Sequence, residues 1–197
     1  MNWLIIGLIL IAAFGPVLWM LPSKGDRRLA KMRARARTHG MQVEMTSVAD
    51  PNAQPSARVT AGGRPLSPTI QCAAYRLALR RPAYAAPQWK LLRNALQMGE
   101  PVAGWQWDGA PAGDAAYWRQ VSDIVRDLPA DALACAAQQS EVACWWRERV
   151  SAEEALAAVD ALYETLAKVA EIQRVADASA TPDDIVGATS DASPTGD

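Results

Sequence analysis

Residues 133–147 read LACAAQQSEVACWWR, with a short apolar run on either side of Gln139 and Ser140. Two apolar runs of roughly 4–8 residues around a small polar turn are typical of an antiparallel β-hairpin. A turn centred on Gln139 and Ser140 places Cys135 directly opposite Cys144, within cross-strand contact distance. The stretch therefore predicts a hairpin with two facing thiols, which are either small buried apolar groups or, as the alternative, a redox pair.

The second run of this hairpin ends in two adjacent tryptophans. Successive side chains of a strand point to opposite faces, so only one of the two rings can enter a one-sided core. The other ring needs cover from a loop, a helix or a partner. Exposed indole and guanidinium groups are enriched at binding hot spots. We therefore predict a partner-binding surface at Trp145, Trp146, Arg147 and Arg149; the alternative is that the second ring packs beneath a loop.

Two amphipathic helices are predicted beside the hairpin. Ser151 and Glu154 form a capping box, and apolar residues then recur every three or four positions as far as Val175. Residues 114–128 show the same spacing, and Pro129 ends the run. Packing on a sheet explains the longer stripe better than a coiled coil, because the repeat covers only about three heptads.

The earlier part of the chain is richer in extended patterns. Pro and Gly punctuate residues 49–68 and indicate a long loop. Strands are predicted at residues 41–45, 58–60, 69–79 and 103–107, and a strand or short helix at 88–93. The fold class expected is α+β, with a mainly antiparallel sheet and two helices packed on it.

Trp105 and Trp107 lie two residues apart in one predicted strand and so point to the same face. Each ring buries roughly 200 Å² when packed, so a pair on one side normally belongs to the core. The functional alternative is a pocket in which a ligand binds between the two rings.

Residues 3–21, WLIIGLILIAAFGPVLWML, carry no charge. As a helix they would extend roughly 28 Å, the thickness of a bilayer's hydrocarbon core. The basic residues follow the apolar run, whereas a cleaved secretory signal has them before it. Residues 1–21 are therefore predicted to be an uncleaved transmembrane signal anchor, with the carboxyl-terminal side in the cytoplasm.

A basic juxtamembrane helix is predicted at residues 22–39. Leu29, Met32 and Ala36 form an apolar stripe, and the basic residues of another side can lie over anionic lipid. The predicted lipid contacts are Lys24, Arg27, Arg28, Lys31 and Arg35. The alternatives are a topology signal alone or nucleic-acid binding, and the stretch has no aromatic residue on which a base could stack.

Charge and composition divide the remaining chain. Seven of the 20 Lys and Arg residues, but one of the 21 Asp and Glu residues, lie between residues 21 and 37. The rest is therefore acidic. Residues 40–175 are predicted to be one cytoplasmic α+β domain, and residues 176–197, rich in Asp and small residues, a disordered tail.

Signatures of common catalytic and cofactor sites are absent from the sequence. The single histidine, His39, has no Cys, Asp or Glu at metal-ligand spacing, which argues against a zinc site. No phosphate-binding loop, dinucleotide-binding glycine motif or nucleophile elbow occurs. No catalytic residue, metal or cofactor is therefore predicted.

Two stretches, residues 21–30 (LPSKGDRRLA) and 144–148 (CWWRE), resemble a group of uncharacterised single-span proteobacterial membrane proteins. Some members are labelled YajC-like preprotein translocase subunits. The plan of an amino-terminal span before a small cytoplasmic domain also resembles YajC, and implies an accessory role beside the Sec channel. The resemblance brings no known active site.

These features together predict a single-pass bacterial inner-membrane protein that is not an enzyme. Its cytoplasmic domain would act as a scaffold or accessory subunit that binds anionic lipid and an unidentified membrane or cytoplasmic protein, but no nucleic acid. A membrane-tethered enzyme or ligand sensor with a Trp-lined pocket is the alternative.

Overall fold

The computed structural model describes residues 3, 23–52, 63, 68–94, 96, 99 and 101–180. Within these ranges the fold is α+β, with three helices and one six-stranded antiparallel sheet. In chain order the elements are α1 (Lys24–Thr38), β1 (Gln42–Ala49), β2 (Thr69–Ala78), β3 (Trp89–Arg93), β4 (Trp105–Trp107), α2 (Ala115–Arg126), β5 (Ala132–Ala137), β6 (Glu141–Trp146) and α3 (Ala155–Ser179).

The predicted hairpin lies in the middle of the sheet, whose strand order is β1-β2-β6-β5-β3-β4. Cys135 faces Cys144, as the turn position predicted, and the Gln138 N–H closes the turn by donating to the Glu141 carbonyl at 2.8 Å. Both thiols are free and fully buried, and burial raises the pKa of Cys135 to about 12. They are therefore packing groups in an unreactive, protonated state.

All three helices contribute side chains to the core on one face of the sheet. Helix α3 packs against β2, β5 and β6, with α1 and α2 beside it. The largest fully buried side chains include Trp105, Trp146, Tyr75, Leu162 and Leu166. The apolar stripe predicted for α3 thus faces the sheet, as expected for a helix whose stability comes from tertiary packing.

The opposite face of the sheet carries a second, smaller cluster. Its members are mostly small: Val48, Cys72, Ala74, Leu92, Ala134, Ala136, Ala143 and Trp145. No helix residue of the described chain belongs to it. The cationic groups of Lys90 and Arg76 lie 5.4 and 5.9 Å from the centre of the Trp145 ring, close enough for cation–π attraction.

Helix α1 is part of this domain and not a separate juxtamembrane segment, which corrects the predicted boundary at residue 40. Met32 and Ala36 are fully buried, and the helix packs against α3 and β1. Ser23 caps it through a reciprocal pair of hydrogen bonds with Asp26, and Gly40 follows it with φ +77°. The domain therefore contains three packed helices instead of the two predicted.

The boundaries of α3 also differ from the prediction. Ser151 Oγ donates to the Glu154 carboxylate at 2.8 Å and accepts from the Glu154 N–H at 3.2 Å, but these bonds close a turn. The helix begins at Ala155 without a side-chain cap, so the predicted capping box is not its start. The helix then continues to Ser179, so the start of the predicted tail at residue 176 is wrong by one turn.

Three predictions lie outside the described residues: the strand at 58–60, the tail beyond residue 180 and, apart from Trp3, the transmembrane segment 1–21. Among the residues that are described, no helix has the length and apolar character needed to cross a membrane.

Two leucines on α3 test which side of this helix holds the fold together. Leu166 is fully buried, whereas Leu156 is 45% exposed. We expect Leu166→Ala to lower the free energy of unfolding by about 2–5 kcal/mol, because it leaves a cavity under the helix. Leu156→Ala should change it by about 0.5 kcal/mol or less. Denaturant unfolding followed by tryptophan fluorescence measures both, and equal losses would contradict this packing.

Candidate functional site

Helix α1 is attached to the sheet by a buried ion pair. Arg33 Nε donates to Glu148 Oε1 at 3.0 Å, and its Nη2 donates to Oε2 at 2.5 Å. The Tyr75 hydroxyl, from β2, donates to the same Oε1 at 2.8 Å. Glu148 is only 4% exposed. The carboxylate thus has three donors, which is how a buried charge is stabilised in a protein interior.

The backbone at Glu148 is adapted to this contact. Its φ of +58° is the only positive value among the described non-glycine residues. A left-handed conformation is unfavourable for a residue with a side chain, and it persists where surrounding contacts hold it. The turn brings the carboxylate back beneath α1 directly after β6 ends at Trp146. The hydrogen bond and charge of Glu148 raise the pKa of Arg33, and burial followed by the Glu148 charge raises the pKa of Tyr75.

Arg28 makes a second attachment between α1 and the same segment. Its Nη1 donates to the Val150 carbonyl at 2.5 Å, and its Nη2 lies 3.4 Å from the Glu148 carbonyl. Arg28 and Arg33 therefore both donate hydrogen bonds to the segment between β6 and α3. Those carbonyls follow the end of a strand, where the sheet no longer supplies donors to them.

A third attachment joins the end of α1 to α3. Arg35 donates from Nε and Nη2 to the two Asp160 oxygens at 2.7 and 3.0 Å. His39 Nε2 lies 2.6 Å from Asp160 Oδ1, and its ring stacks on Tyr163 with centroids 4.4 Å apart. The hydrogen bonds from Arg35, and then His39, lower the pKa of Asp160 to about 2. The only histidine of the chain thus serves a structural contact.

The five residues predicted to contact lipid fall into two groups. Arg28 and Arg35 donate hydrogen bonds to other elements of the domain, and their lipid contact stays a prediction. Lys24, Arg27 and Lys31 are exposed on the other side of α1. Among the described residues none of these three forms an ion pair. We call these three residues the basic row.

The predicted partner surface at the two adjacent tryptophans is corrected by the structure. Trp146 is completely buried in the main core, and Trp145 is 8% exposed on the opposite face of the sheet. The Trp146 Nε1–H donates to Asp131 Oδ1 at 2.5 Å. Arg149 is exposed and Arg147 is half-buried, and the backbone N–H groups of both donate to Asp131. The rings stabilise the fold and offer no contact surface.

The predicted pocket at Trp105 and Trp107 is likewise filled. Trp105 is 1% exposed in the main core, with the Arg93 guanidinium 4.4 Å from its ring centre. Trp107 packs edge-on against Trp118 at 4.9 Å between centroids. Both rings share one face, as predicted, but they pack in the core and do not clamp a cavity. The core interpretation therefore holds for this pair.

Open grooves lie elsewhere on the domain. The larger, about 830 Å³, runs between the β2–β3 connection and the carboxyl-terminal half of α3, where Arg80, Arg81 and Arg174 line it. Another, about 680 Å³, passes Lys90 and Asp108, which pair with each other. No cluster of metal-ligating side chains occurs in the described ranges.

Sequence reasoning missed Glu148 and Asp160, the two carboxylates that position α1. They lie 115 and 125 residues from their arginine partners, so local spacing holds no signal for either pair. One signal existed on α1 itself. Arg28 and Arg33 flank the apolar stripe on the helix surface, where basic side chains reach polar partners at the edge of a core.

The buried and exposed ion pairs of α1 provide a matched comparison. Glu148→Gln should lower the free energy of unfolding by about 3 kcal/mol, because it leaves Arg33 without its charge partner in a largely dry site. Asp160→Asn makes the same chemical change at a contact whose carboxylate is 36% exposed, and should cost less than about 1 kcal/mol. Denaturant titration at neutral pH measures both. Equal effects would show that burial does not distinguish the two pairs.

The Asp160 contact should depend on acidity. The folded pKa of Asp160, about 2, lies below the ordinary 3.8. The stabilisation is therefore nearly complete above about pH 4 and is lost as the pH falls through about 2. We expect the wild-type chain to unfold at a higher temperature than Asp160→Asn at pH 6, and the difference to shrink as the pH approaches 2 and to vanish below it. A difference that stays constant across this interval would contradict the assignment.

No family model matches the chain, and no curated protein or solved structure is detectably similar to it.

Proposed function

We propose that the chain is a single-pass bacterial inner-membrane protein with a non-enzymatic cytoplasmic domain. The domain binds another protein, as a scaffold or accessory subunit, and α1 holds it at the membrane surface. A place beside a translocon is the narrower form of this proposal, and it rests on the resemblance of residues 21–30 and 144–148 alone.

The observation that carries the proposal is the division of α1 into two sides. Arg28, Met32 and Arg33 face the domain, whereas the basic row lies on the opposite side. Each cation of that row contributes about 1 kcal/mol when it lies near anionic lipid. The helix begins at Lys24, three residues beyond the end of the apolar run at Leu21. The row is thus close in sequence to the proposed membrane surface.

The charge of the remaining chain supports the same orientation. Residues 38–175 carry 15 acidic and 13 basic residues, so the body of the domain is nearly neutral and the attraction to anionic lipid is concentrated on the basic row. This combination favours a single arrangement in which the exposed side of α1 faces the bilayer. The rest of the domain surface is then available to a protein partner.

The best-organised polar groups support a non-enzymatic role. Glu148, Asp160 and His39 each form hydrogen bonds to a neighbouring element, so all three side chains have a structural role in the fold. The alternative of an enzyme or sensor with a Trp-lined pocket has no support from the geometry, because Trp105 is buried and Trp107 packs against Trp118.

A single labelled thiol can test the membrane-facing side of α1. All three natural cysteines are buried, so a cysteine at Ala34, which lies exposed beside the basic row, would be labelled selectively. With the full chain in nanodiscs, we expect a fluorophore at Ala34→Cys to be shielded from acrylamide when anionic lipid is present. High salt should reverse part of this shielding, because it screens the row. The change leaves every cation in place.

The matched control is Asp123→Cys on α2, where the natural carboxylate is 74% exposed. Its label should be quenched equally with anionic and zwitterionic lipid. Equal quenching at both positions would contradict the lipid contact. A reporter fused after Asp197 that is active outside the cytoplasm would contradict the orientation itself.

A further inference from the structure

The larger groove of the domain lies between the β2–β3 connection and the carboxyl-terminal half of α3, and has a volume of about 830 Å³. The two walls are joined by a hydrogen bond, in which the Ala85 N–H donates to Asp177 Oδ1 at 2.8 Å. Much of the lining is apolar and includes Leu77, Leu79, Pro82, Tyr163 and Ala170. The groove can therefore bind an apolar side chain as well as a polar one.

Three arginines line the groove, and two of them have no carboxylate partner. Arg174 pairs with Glu171 on its own helix. Arg80 and Arg81 are exposed, and neither forms an ion pair with any residue that the structure describes. The carboxylate of Asp177 already accepts the Ala85 N–H. An anionic ligand in the groove would thus contact two unpaired guanidinium groups.

The chain leaves α3 beside this groove. The helix ends at Ser179, Ala178 still lines the groove, and Ala180 is extended with φ −66° and ψ 132°. Pro182 follows two positions later and cannot continue the helix. Residues 181–197 therefore start at one end of the groove.

The other stretches outside the described residues join the domain elsewhere. The Asp50 N–H donates to the Pro68 carbonyl at 2.9 Å, so residues 53–67 leave and return at the start of β2. From there β2 runs for roughly 25 Å before it reaches the groove at Leu77. The residues before Ser23 join the end of α1 that contacts Val150, just before α3 begins.

The sequence of residues 181–197, TPDDIVGATSDASPTGD, suits the groove. It contains four Asp and no Lys or Arg. Asp183 and Asp184 are followed directly by Ile185 and Val186, which are the only large apolar residues of the stretch. An acidic pair beside an apolar pair thus provides both kinds of group that the lining can bind.

The distance from α3 is also suitable. Asp183 lies three residues beyond Ala180, and an extended chain covers at most about 3.5 Å per residue, so the acidic pair can reach roughly 10 Å back along the helix. The side of the groove formed by α3, from Tyr163 to Ala178, is roughly 22 Å long. The segment can therefore lie along the nearer half of the groove.

We propose that residues 181–186 bind in this groove of their own chain, with Asp183 and Asp184 on Arg80 and Arg81, and with Ile185 and Val186 on the apolar lining. A segment without a fold of its own can bind in this way. Exposed ion pairs are individually weak. Weak contacts suffice here, because a short flexible connection gives the segment an effective concentration in the millimolar range.

The contact would control access to the groove. An acidic ligand from outside must displace a segment that is always present at high local concentration, so only a tighter ligand gains entry. The groove is then occupied in the isolated chain and opens by exchange. This proposal does not rest on the membrane placement.

A spin label in the full chain tests the contact. All three natural cysteines are buried, so a cysteine at Ala188, two positions beyond Val186, would be labelled selectively. Ala188→Cys removes none of the proposed contacts. In nanodiscs of zwitterionic lipid, we expect electron paramagnetic resonance to show a restricted component that decreases several-fold at high salt, because salt screens the ion pairs.

Two pairs of arginines provide a matched comparison. Arg80→Gln with Arg81→Gln should lower the restricted fraction several-fold, because it removes both cations of the contact. Arg119→Gln with Arg149→Gln removes the same charge elsewhere on the domain and should leave that fraction unchanged. All four side chains are exposed, so the fold should be retained, and the unfolding temperature checks this.

The aspartates provide a second comparison. Asp183→Asn with Asp184→Asn should free the label as much as the change at Arg80 and Arg81. Combining the two changes should have no further effect, because both remove the same contacts. Asp191→Asn with Asp197→Asn removes equal charge farther along the chain and should have little effect.

Three results would overturn the proposal. One is a label that is fully mobile in the otherwise unchanged chain, and another is an equal response to the groove arginines and to the control arginines. The third is a restricted fraction that decreases on dilution, because the segment would then be bound to another copy of the chain. Sedimentation with the membrane fraction reports separately on the proposed function.

Discussion

The ion pair between Arg33 and Glu148 determines how α1 fits against the sheet of this domain. The carboxylate comes from the residues that follow β6, the guanidinium from α1, and the third donor, Tyr75, from β2. Two buried strands and a helix therefore meet at one charged group. Removal of either charge would leave the other charge unpaired in a site with little water. The loss in the free energy of unfolding is therefore larger than for an exposed ion pair. Because of this contact, α1 packs as a helix of the domain although it is rich in basic residues.

The sheet is packed on both faces, and the two tryptophans at the end of β6 belong to different packing environments. Trp146 lies among the helices with Tyr75, at 5.6 Å between ring centroids. Trp145 lies across the sheet, among alanines and close to two cationic side chains. Small residues on that face leave room for one large ring. The two adjacent rings of β6 therefore pack in different clusters, one on each face of the sheet.

The sequence was a good guide wherever a pattern is local. The hairpin register followed from the turn position, and the period of α3 followed from its apolar residues. A bulge between Ala132 and Ala134 shifts the pairing at the end of the hairpin, and no residue type indicated it. The packing of α1 on the domain could not be predicted, because a basic amphipathic helix can lie on lipid, on a domain that carries carboxylates, or between the two. Its partners Glu148 and Asp160 are distant in the chain, and local spacing does not reveal distant partners.

Under the proposed membrane placement, the short connection before α1 limits where the domain can be. Lys24 follows Leu21 by three positions, and an extended chain covers at most about 3.5 Å per residue, so the tether reaches only about 10 Å. The domain would therefore stay close to the bilayer and would not reach partners deep in the cytoplasm. Encounters would be confined to molecules that themselves diffuse in the bilayer or approach within a few nanometres of it. The fraction of domains with a bound partner would then depend on the concentration of that partner at the membrane surface more than on its total concentration in the cell.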